Sequence, residues 1–349
     1  MLQCYDSATA LIPTSHQPAL VLEFAHSQGL DSTEVLAGTG WSPVQVSGVS
    51  DPIWKPAQYL RMLANTQHAL GGDELAFTLG RRMLPGHFGA ASHALLQAPS
   101  LRRTLELLAK HASRLSPLLV PHFRVEDGVA MLVWTNACGL GQLRNFVVNM
   151  HMAALVALCH WRGGQRLPWT FCFNRTAPRN TAQLEVHLST HLRFGCQVDA
   201  LLIHSDWLDP PWLSASETDG AAASSVSARA AEQECVPRSF LGTHYAHLLA
   251  HAQCMPTLED TAQHFGLSPA TFKRRLAQEG THYQAELDQV RSHVALRLMY
   301  FRGFDNEAVA QHLGYYDAAN FRRSFKRWTG LTPSLFRDAL GSFSMLSKN

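Results

Sequence analysis

Ala262-Gln263-His264-Phe265-Gly266-Leu267 returns 48 positions later as Ala310-Gln311-His312-Leu313-Gly314-Tyr315. After one extra residue the match resumes 49 positions apart: Phe272 answers to Phe321, Arg274 to Arg323 and Leu276 to Phe325. In each copy a short helix with a small alanine stops at a glycine, and a turn follows. A second helix then buries aromatic or aliphatic residues four apart while arginine faces the other way. That pattern is a helix-turn-helix, the unit that mounts a recognition helix in a DNA major groove. Two copies imply one polypeptide that reads two stretches of groove.

Within the first copy, Thr257 is placed to cap the helix carrying Leu258, Ala262 and Phe265, with Asp260 completing a capping box. Gly266 ends that helix. Ser268-Pro269 then supply an N-cap and a first-turn proline for the next one, which Gly280 stops. Phe272 and Leu276 point inward, and at about 100° per residue Thr271, Arg274 and Gln278 fall on the far side. In the second copy Asp317 is the cap, Phe321, Phe325 and Trp328 form the buried stripe, and Asn320, Arg323 and Arg327 face outward. Arginine and asparagine pair bidentately with guanine and adenine edges, so these six positions are the expected base readers. Lys273, Arg322 and Lys326 lie on the flanks, where phosphates would be.

Between the copies a long helix is expected, capped by Thr281 with Gln284 three residues on, buried along Leu287, Val290, Val294, Leu298 and Phe301, and followed by Gly303. Some 20 residues at about 1.5 Å each give roughly 30 Å. Successive major grooves on one DNA face lie about 34 Å apart, so the connector has the right length.

Working outward, 349 residues with 46% hydrophobic content predict a globular chain of about two domains. Net charge is only +2, but its distribution is uneven. From Pro256 to Asn349 there are 12 Lys+Arg against 9 Asp+Glu, which leaves 17 against 18 in residues 1–255. The basic residues cluster at equivalent repeat positions, Lys273-Arg274-Arg275 and Arg322-Arg323 with Lys326-Arg327, which favours a nucleic-acid face over an ordinary solvated one.

Residues 18–213 read as a mixed α+β domain in which helices dominate. Leu20, Phe24 and Ala25 begin one amphipathic helix; Leu60, Leu63, Ala64 and Leu70 mark another from Pro56 to Gly71-Gly72; Leu101, Leu105, Leu108 and Ala112 mark a third. Phe123, Val125, Val129, Met131 and Val133 then alternate around Asp127-Gly128, a hairpin signal. Trp169 to Phe173 and Val198 to His204 read as strands separated by a helix over 181–191. The apolar run from Val147 to Trp161 is too short to span a bilayer and reads as a buried helix. The Ser/Ala-rich stretch 214–231 reads as a linker, and from Val236 onward everything reads as helix, giving a second domain over 232–341. The fold class is thus an α+β N-terminal domain followed by an all-α tandem helix-turn-helix domain. Met1 to Thr14 lacks a basic region followed by an apolar core, so no signal peptide is expected.

Residues 257–337 resemble the DNA-binding domain of AraC/XylS-type transcriptional regulators. The resemblance rests on the span Gly314 to Phe336, with Phe321, Phe325-Lys326-Arg327-Trp328-Thr329-Gly330 and Pro333. One departure is Tyr316, where that family usually has a small polar residue before the second recognition helix. Residues 20–213 resemble the arabinose-binding-like sensor domain of one branch of the family, through Leu84-Pro85-Gly86-His87-Phe88-Gly89, Ala98-Pro99-Ser100-Leu101 and Phe194-Gly195-Cys196. The resemblance implies a cytoplasmic, sequence-specific regulator of transcription, an activator in most such cases, with double-stranded DNA and RNA polymerase as partners. It also implies a small-molecule effector of unknown identity, and leaves a homodimer open.

The seven cysteines (4, 138, 159, 172, 196, 235, 254) include no C-x-x-C pair, which argues against a zinc ribbon and a disulfide framework. His187 and His191 have helical spacing but Leu188 stands where a zincin needs glutamate. His244, His247, His251 and Cys254 would share one helix face, read as a hydrated stripe more readily than as a metal site. Cys159-His160 suggests the rival class, an Ada-like alkyl-transfer enzyme with an appended DNA-binding domain. Leu158 and Trp161 replace the flanking proline and arginine that such a nucleophile motif needs, and no other catalytic motif stands out. No catalytic residue, metal or cofactor is therefore expected.

Overall fold

The computed structural model describes residues 3–46, 48, 51–72, 74–213 and 236–340. The linker read at 214–231 lies outside the described residues, as do 232–235 and 341.

Strand β1 (Cys4–Tyr5) precedes a small antiparallel pair, β2 (Ile12–Pro13) with β3 (Ile53–Trp54). Helices α1 (Gln17–Ser27), α2 (Ser32–Leu36) and α3 (Pro43–Val46) lie between its two strands in the chain, and α4 (Pro56–Leu70) follows. Then come α5 (Leu75–Met83), α6 (Ala90–Gln97), α7 (Leu101–Lys110) and α8 (Ala112–Leu115). The hairpin appears where alternation placed it, as β4 (Leu119–Glu126) and β5 (Val129–Asn136). Asp127 and Gly128 both take positive φ, 49° and 76°, as a two-residue primed turn requires. Helix α9 (Arg144–Gly163) is the buried helix of the apolar run, and β6 (Thr170–Phe173), α10 (Ala182–His187), β7 (Leu192–Phe194) and β8 (Asp199–His204) complete this half.

The five-stranded sheet runs β4-β5-β8-β6-β7, antiparallel except for the parallel pair β6–β7. Its inward face, including Leu132, Trp134, Phe171, Phe173, Leu201 and Ile203, joins α5 and α9 in the main core. Tyr5, Leu11 and Ile12 are buried in that same core.

The helix expected over 181–191 stops at His187. The chain turns out of it because the His191 carbonyl accepts a bond from Phe171 N at 2.9 Å, which starts the β7 pairing. Nor is everything helical after Val236: β9 (Arg238–Ser239) pairs in parallel with β1, at the opposite end of the chain.

The C-terminal half then continues as α11 (Phe240–Ala250), α12 (Leu258–His264), α13 (Pro269–Gln278), α14 (Tyr283–Phe301), α15 (Asn306–His312), α16 (Ala318–Thr329) and α17 (Pro333–Leu340). One small core, containing Phe240, Leu258, Ala262, Phe265, Phe272 and Leu276, holds α11, α12 and α13 together. A second packs α14 to α17 around Val290, Val294, Val309, Phe321, Phe325 and Phe336. The cap of α14 differs from expectation. Its start is held by His282, whose Nδ1 accepts from Ala285 N at 3.2 Å. Thr281 instead donates its hydroxyl to Glu286 Oε1 at 2.7 Å, a side-chain partner that competes with capping.

Candidate nucleic-acid interface

The two helix-turn-helix units, α12–α13 and α15–α16, are built alike to the level of single bonds. Thr257 caps α12 with the reciprocal Asp260 bond, and Asp305, 48 residues on, caps α15 by accepting from Ala308 N. Sequence reasoning passed over Asp305 because no carboxylate or amide follows three residues later to complete a box. Gly266 and Gly314 take φ of 66° and 71°, a left-handed conformation that glycine adopts without steric cost. The next amide in each case bonds back five residues, Leu267 to Ala262 at 2.9 Å and Tyr315 to Ala310 at 2.8 Å. Ala262 and Ala310 are buried where the paired helices pack.

The reading helices begin at Ser268 and Asp317, whose side chains accept from Thr271 N and Asn320 N. Their inward aromatics are fully buried: Phe272 on one, Phe321 and Phe325 on the other. The extra residue of the second turn is Tyr316, whose side chain is 96% exposed.

On the outward faces, Lys273, Arg274 and Gln278 are exposed, as are Arg322, Arg323, Lys326 and Arg327; Thr271 and Asn320 are half-buried near their caps. Four of these side chains are already engaged, with Thr271 Oγ1 held by Ser268 Oγ at 2.9 Å. Arg323 donates to Asn320 Oδ1 at 2.5 Å, and Arg327 pairs with Asp288 of α14 at 3.1 Å. Arg275, one residue from the expected reader Arg274, turns backward. It bonds Asp6 at 2.9 Å and the Cys4 carbonyl at 2.8 Å, and stacks over Phe240 at 4.3 Å. The cluster 273–275 thus divides between solvent and the N-terminal segment.

That segment also holds the end of α13. Glu279, 4% exposed, accepts from Ser7 N at 3.0 Å and Ser7 Oγ at 2.7 Å on one oxygen, and from Gly139 N at 2.8 Å on the other. Gly139 must be glycine for this approach: a Cβ there would lie 2.5 Å from the Glu279 carbonyl oxygen. The first reading helix is therefore fastened from behind to the N-terminal half, with its outer face left open.

The histidine stripe of α11 is hydrated only at its far end, where His251 and Cys254 are exposed and His247 is half-buried. His244 is fully buried, with its ring stacked on Tyr283 at 5.5 Å and edge-on to Phe272 at 5.2 Å. Burial lowers its pKa to about 3, so the ring is neutral and serves as an aromatic core member. The helical geometry expected this ring outside, but α12 and α13 cover that side. His247 stacks on His264 of α12 at 4.1 Å, and among the described residues no group of three or more His, Cys, Asp or Glu is arranged to hold a metal ion. His187 stacks on Phe77 at 4.9 Å, and His191 lies beyond the helix, so the two never share a helix face. Cys159 is buried within α9 and burial pushes its thiol pKa up, the opposite of an activated nucleophile. No described helix is long and apolar enough to cross a membrane.

Comparison with known proteins bears on both halves. Residues 29–212 match the family profile described as the arabinose-binding domain of AraC transcription regulators, and residues 261–339 match a helix-turn-helix domain. The chain belongs to the AraC family. The ornithine utilization regulator of Pseudomonas aeruginosa is 26% identical over 284 residues, covering 79% of this chain and 81% of that one. An uncharacterized HTH-type transcriptional regulator of Mycobacterium tuberculosis is 25% identical over 333 residues, covering 90% and 93%. The crystal structure of transcriptional regulator CdpR from Pseudomonas aeruginosa aligns at a TM-score of 0.41 and 18% identity, over 92% of this chain and 98% of that one. This AraC-family chain is a DNA-binding transcriptional regulator with a sensor-type N-terminal domain, and the enzyme alternative falls away with the family assignment.

Proposed function

We propose that this regulator reads two successive major grooves with one chain and activates transcription in response to a small molecule. The observation that carries the reading is the matched pair of reading helices. Each is capped by the same bond and buries the same aromatic position, and each exposes an arginine at the repeat-equivalent site, Arg274 and Arg323. Thr271, Arg274 and Gln278 would meet base edges in one groove and Asn320, Arg323 and Arg327 in the next, with Lys273, Arg322 and Lys326 on phosphates. Helix α14, 19 residues long, separates the units by about 28 Å of helix, close to the rise of one DNA turn.

In this reading residues 18–213 form the effector domain, 214–231 the linker and 232–341 the DNA-binding domain. The regulator works in the cytoplasm, contacts RNA polymerase as the family resemblance implies, and can act as a homodimer. Hydroxyl-radical footprinting on an operator selected from random duplex DNA tests the core of this reading. Two protected patches about 10 base pairs apart on one DNA face are expected for each chain. One patch per chain would show that the second unit does not read DNA.

A further inference from the structure

Two cysteines from different strands meet at the edge of the sheet. Cys172 lies in β6, opposite Arg193 of β7. Just past β7 the chain folds back over β6. The Gly195 amide donates to the Arg175 carbonyl at 2.8 Å, and the Cys196 amide donates to the Phe173 carbonyl at 3.1 Å. Cys196 is thereby set against Cys172, and both belong to a small apolar cluster that Tyr300 and Phe301 of α14 cover. The Cys172 thiol donates a hydrogen bond to the sulfur of Cys196. Both thiols face one hollow of about 370 Å³, room for several molecules of water size.

The pair differs from the other buried cysteines. Burial pushes the thiols of Cys138 and Cys159 up and leaves them unreactive. The Cys196 thiol goes the other way. The bond from Cys172 holds it below the ordinary cysteine value, aided by the Phe173 backbone and the Arg193 guanidinium, against burial and the Asp199 carboxylate. The same bond, together with burial, raises Cys172. One sulfur is prepared to attack while its neighbour waits as the thiol, the division of work between a reactive cysteine and its resolving partner.

We propose that Cys172 and Cys196 form an oxidation site that a small hydroperoxide converts to a disulfide, and that this disulfide acts on the second reading helix. The Cys196 sulfur attacks the near peroxide oxygen and the O–O bond breaks. The leaving oxygen takes the Cys196 proton, giving water or an alcohol, and Cys196 becomes a sulfenic acid. The Cys172 sulfur then attacks that of Cys196. The S–O bond breaks, hydroxide leaves with the Cys172 proton as water, and the S–S bond forms. The two thiols lose two electrons and the peroxide gains them.

Hydrogen-bonded sulfurs must close to about 2.05 Å to form that bond, so the segment 195–197 has to move. It is wired to the DNA-binding half. Gln197 takes a φ of 60°, a region that side chains disfavour. Its carbonyl accepts a hydrogen bond from the His293 ring of α14, and its Nε2 donates to the Thr329 carbonyl at 3.0 Å. Thr329 is the last residue of α16, where helix carbonyls have no partner inside the helix. One residue thus carries the movement to the end of the second reading helix. This link to DNA rests on the two-groove reading above; the thiol chemistry does not.

Full-length protein is treated with less than one equivalent of hydrogen peroxide, alkylated and digested with trypsin, which separates the two cysteines at Arg175, Arg179 and Arg193. A peptide linked through Cys172 and Cys196 is expected as the main product, lost again in dithiothreitol. Cys172→Ala should leave Cys196 as a sulfenic acid that dimedone traps, and Cys196→Ala should leave Cys172 unreacted. Thermal unfolding and duplex-DNA binding check the folds of both variants, and the linked peptide is read in the unsubstituted protein whether or not they fold. On the selected operator, oxidation should weaken binding about fivefold or more, the low end of coupling between sites. The lost protection should fall in the patch of the second unit, and dithiothreitol should restore it. Gln197→Ala should keep the disulfide and lose the DNA response. No linked peptide, a disulfide from Cys196 to another cysteine, or undiminished oxidation of Cys172 in Cys196→Ala overturns the site. A linked peptide with operator binding unaltered supports the oxidation site and removes its link to DNA. A single patch in the reduced protein counts against the two-groove reading and the DNA link alike, and leaves the oxidation site to be decided by the peptide.

Discussion

Arg274 and Arg323 stand at the same point of the repeat, yet their surroundings differ. Arg323 rests on the Asn320 amide, whereas Arg274 has no hydrogen-bond partner among the described residues. On the proposed reading this bond holds Asn320 and Arg323 together at the base edges, so Arg323→Ala should cost about 1–3 kcal/mol on the selected operator and relax preference in one half-site. Lys326→Ala should weaken every duplex alike and lower the salt slope by about one unit. Equal losses for Arg323→Ala on operator and random DNA would demote that residue to a phosphate contact. Arg327 behaves differently again because Asp288 holds it. Asp288→Asn should release the guanidinium and tighten DNA binding at low salt, with a slope steeper by about one unit; an unchanged slope would show that Arg327 stays off the DNA. The repeat made these cations legible, since equal positions in two copies mark a shared face. It could not reveal that Arg275 is tied to Asp6, 269 residues away, or that an acid on α14 competes for Arg327, because neither partner belongs to the repeat.

At the level of elements, caps and glycine stops were readable wherever the signal is local. Thr257, Ser268 and Asp317 all cap as their spacing indicates. What a single segment could not show was pairing across the chain. Arg238-Ser239 has no strand signature of its own and becomes one through β1. Leu192–Phe194 becomes a strand because β6 offers it an edge. The fastening of α13 is of this kind too. Glu279 links the end of the first reading helix to Ser7 and Gly139 by three hydrogen bonds. Truncating it leaves the Gly139 amide and the Ser7 groups without their acceptor, a loss of about 1–3 kcal/mol. Glu279→Ala should therefore lower stability in denaturant titrations and speed amide exchange near residues 7 and 139. The reading face, on the opposite side of α13, should keep its affinity for DNA once the protein is folded. Exchange rates unchanged at both places would mean that the fastening is not a stabilising contact.

Across the whole molecule, the sequence divided the chain into a mixed half and a helical half but could not show how they are joined. Alternation identifies the strands of the sheet without saying which element covers the second face, and the apolar residues Met131, Val133 and Leu202 make sense only with α14 laid over them. Half-buried histidines knit the same junction. His122 of β4 faces the ring of Tyr245 on α11 at 4.8 Å, and the Tyr245 hydroxyl bonds His293 Nδ1 on α14 at 2.9 Å. Burial holds His122 near a pKa of about 4 and His293 near about 3. His151 in the N-terminal core sits at about 4 and His244 at about 3, again through burial. All four are depressed below the unfolded value of roughly 6.5, so folding favours their neutral forms. Their burial costs nothing extra above that pH; as pH falls through it, the unfolded chain takes up protons that the folded chain refuses, and stability declines until the folded pKa values are reached. Each ring that stays neutral in the folded chain contributes a slope of up to about 1.4 kcal/mol per pH unit in that window. The unfolding free energy should thus be nearly flat from pH 8 to 7 and fall steeply between about pH 6 and 4. His244→Phe, which keeps the aromatic contacts with Phe272 and Tyr283, should flatten the acid limb by one proton's worth. A limb equally steep in that variant would mean that His244 protonates readily in the folded state and that its burial does not govern the acid response.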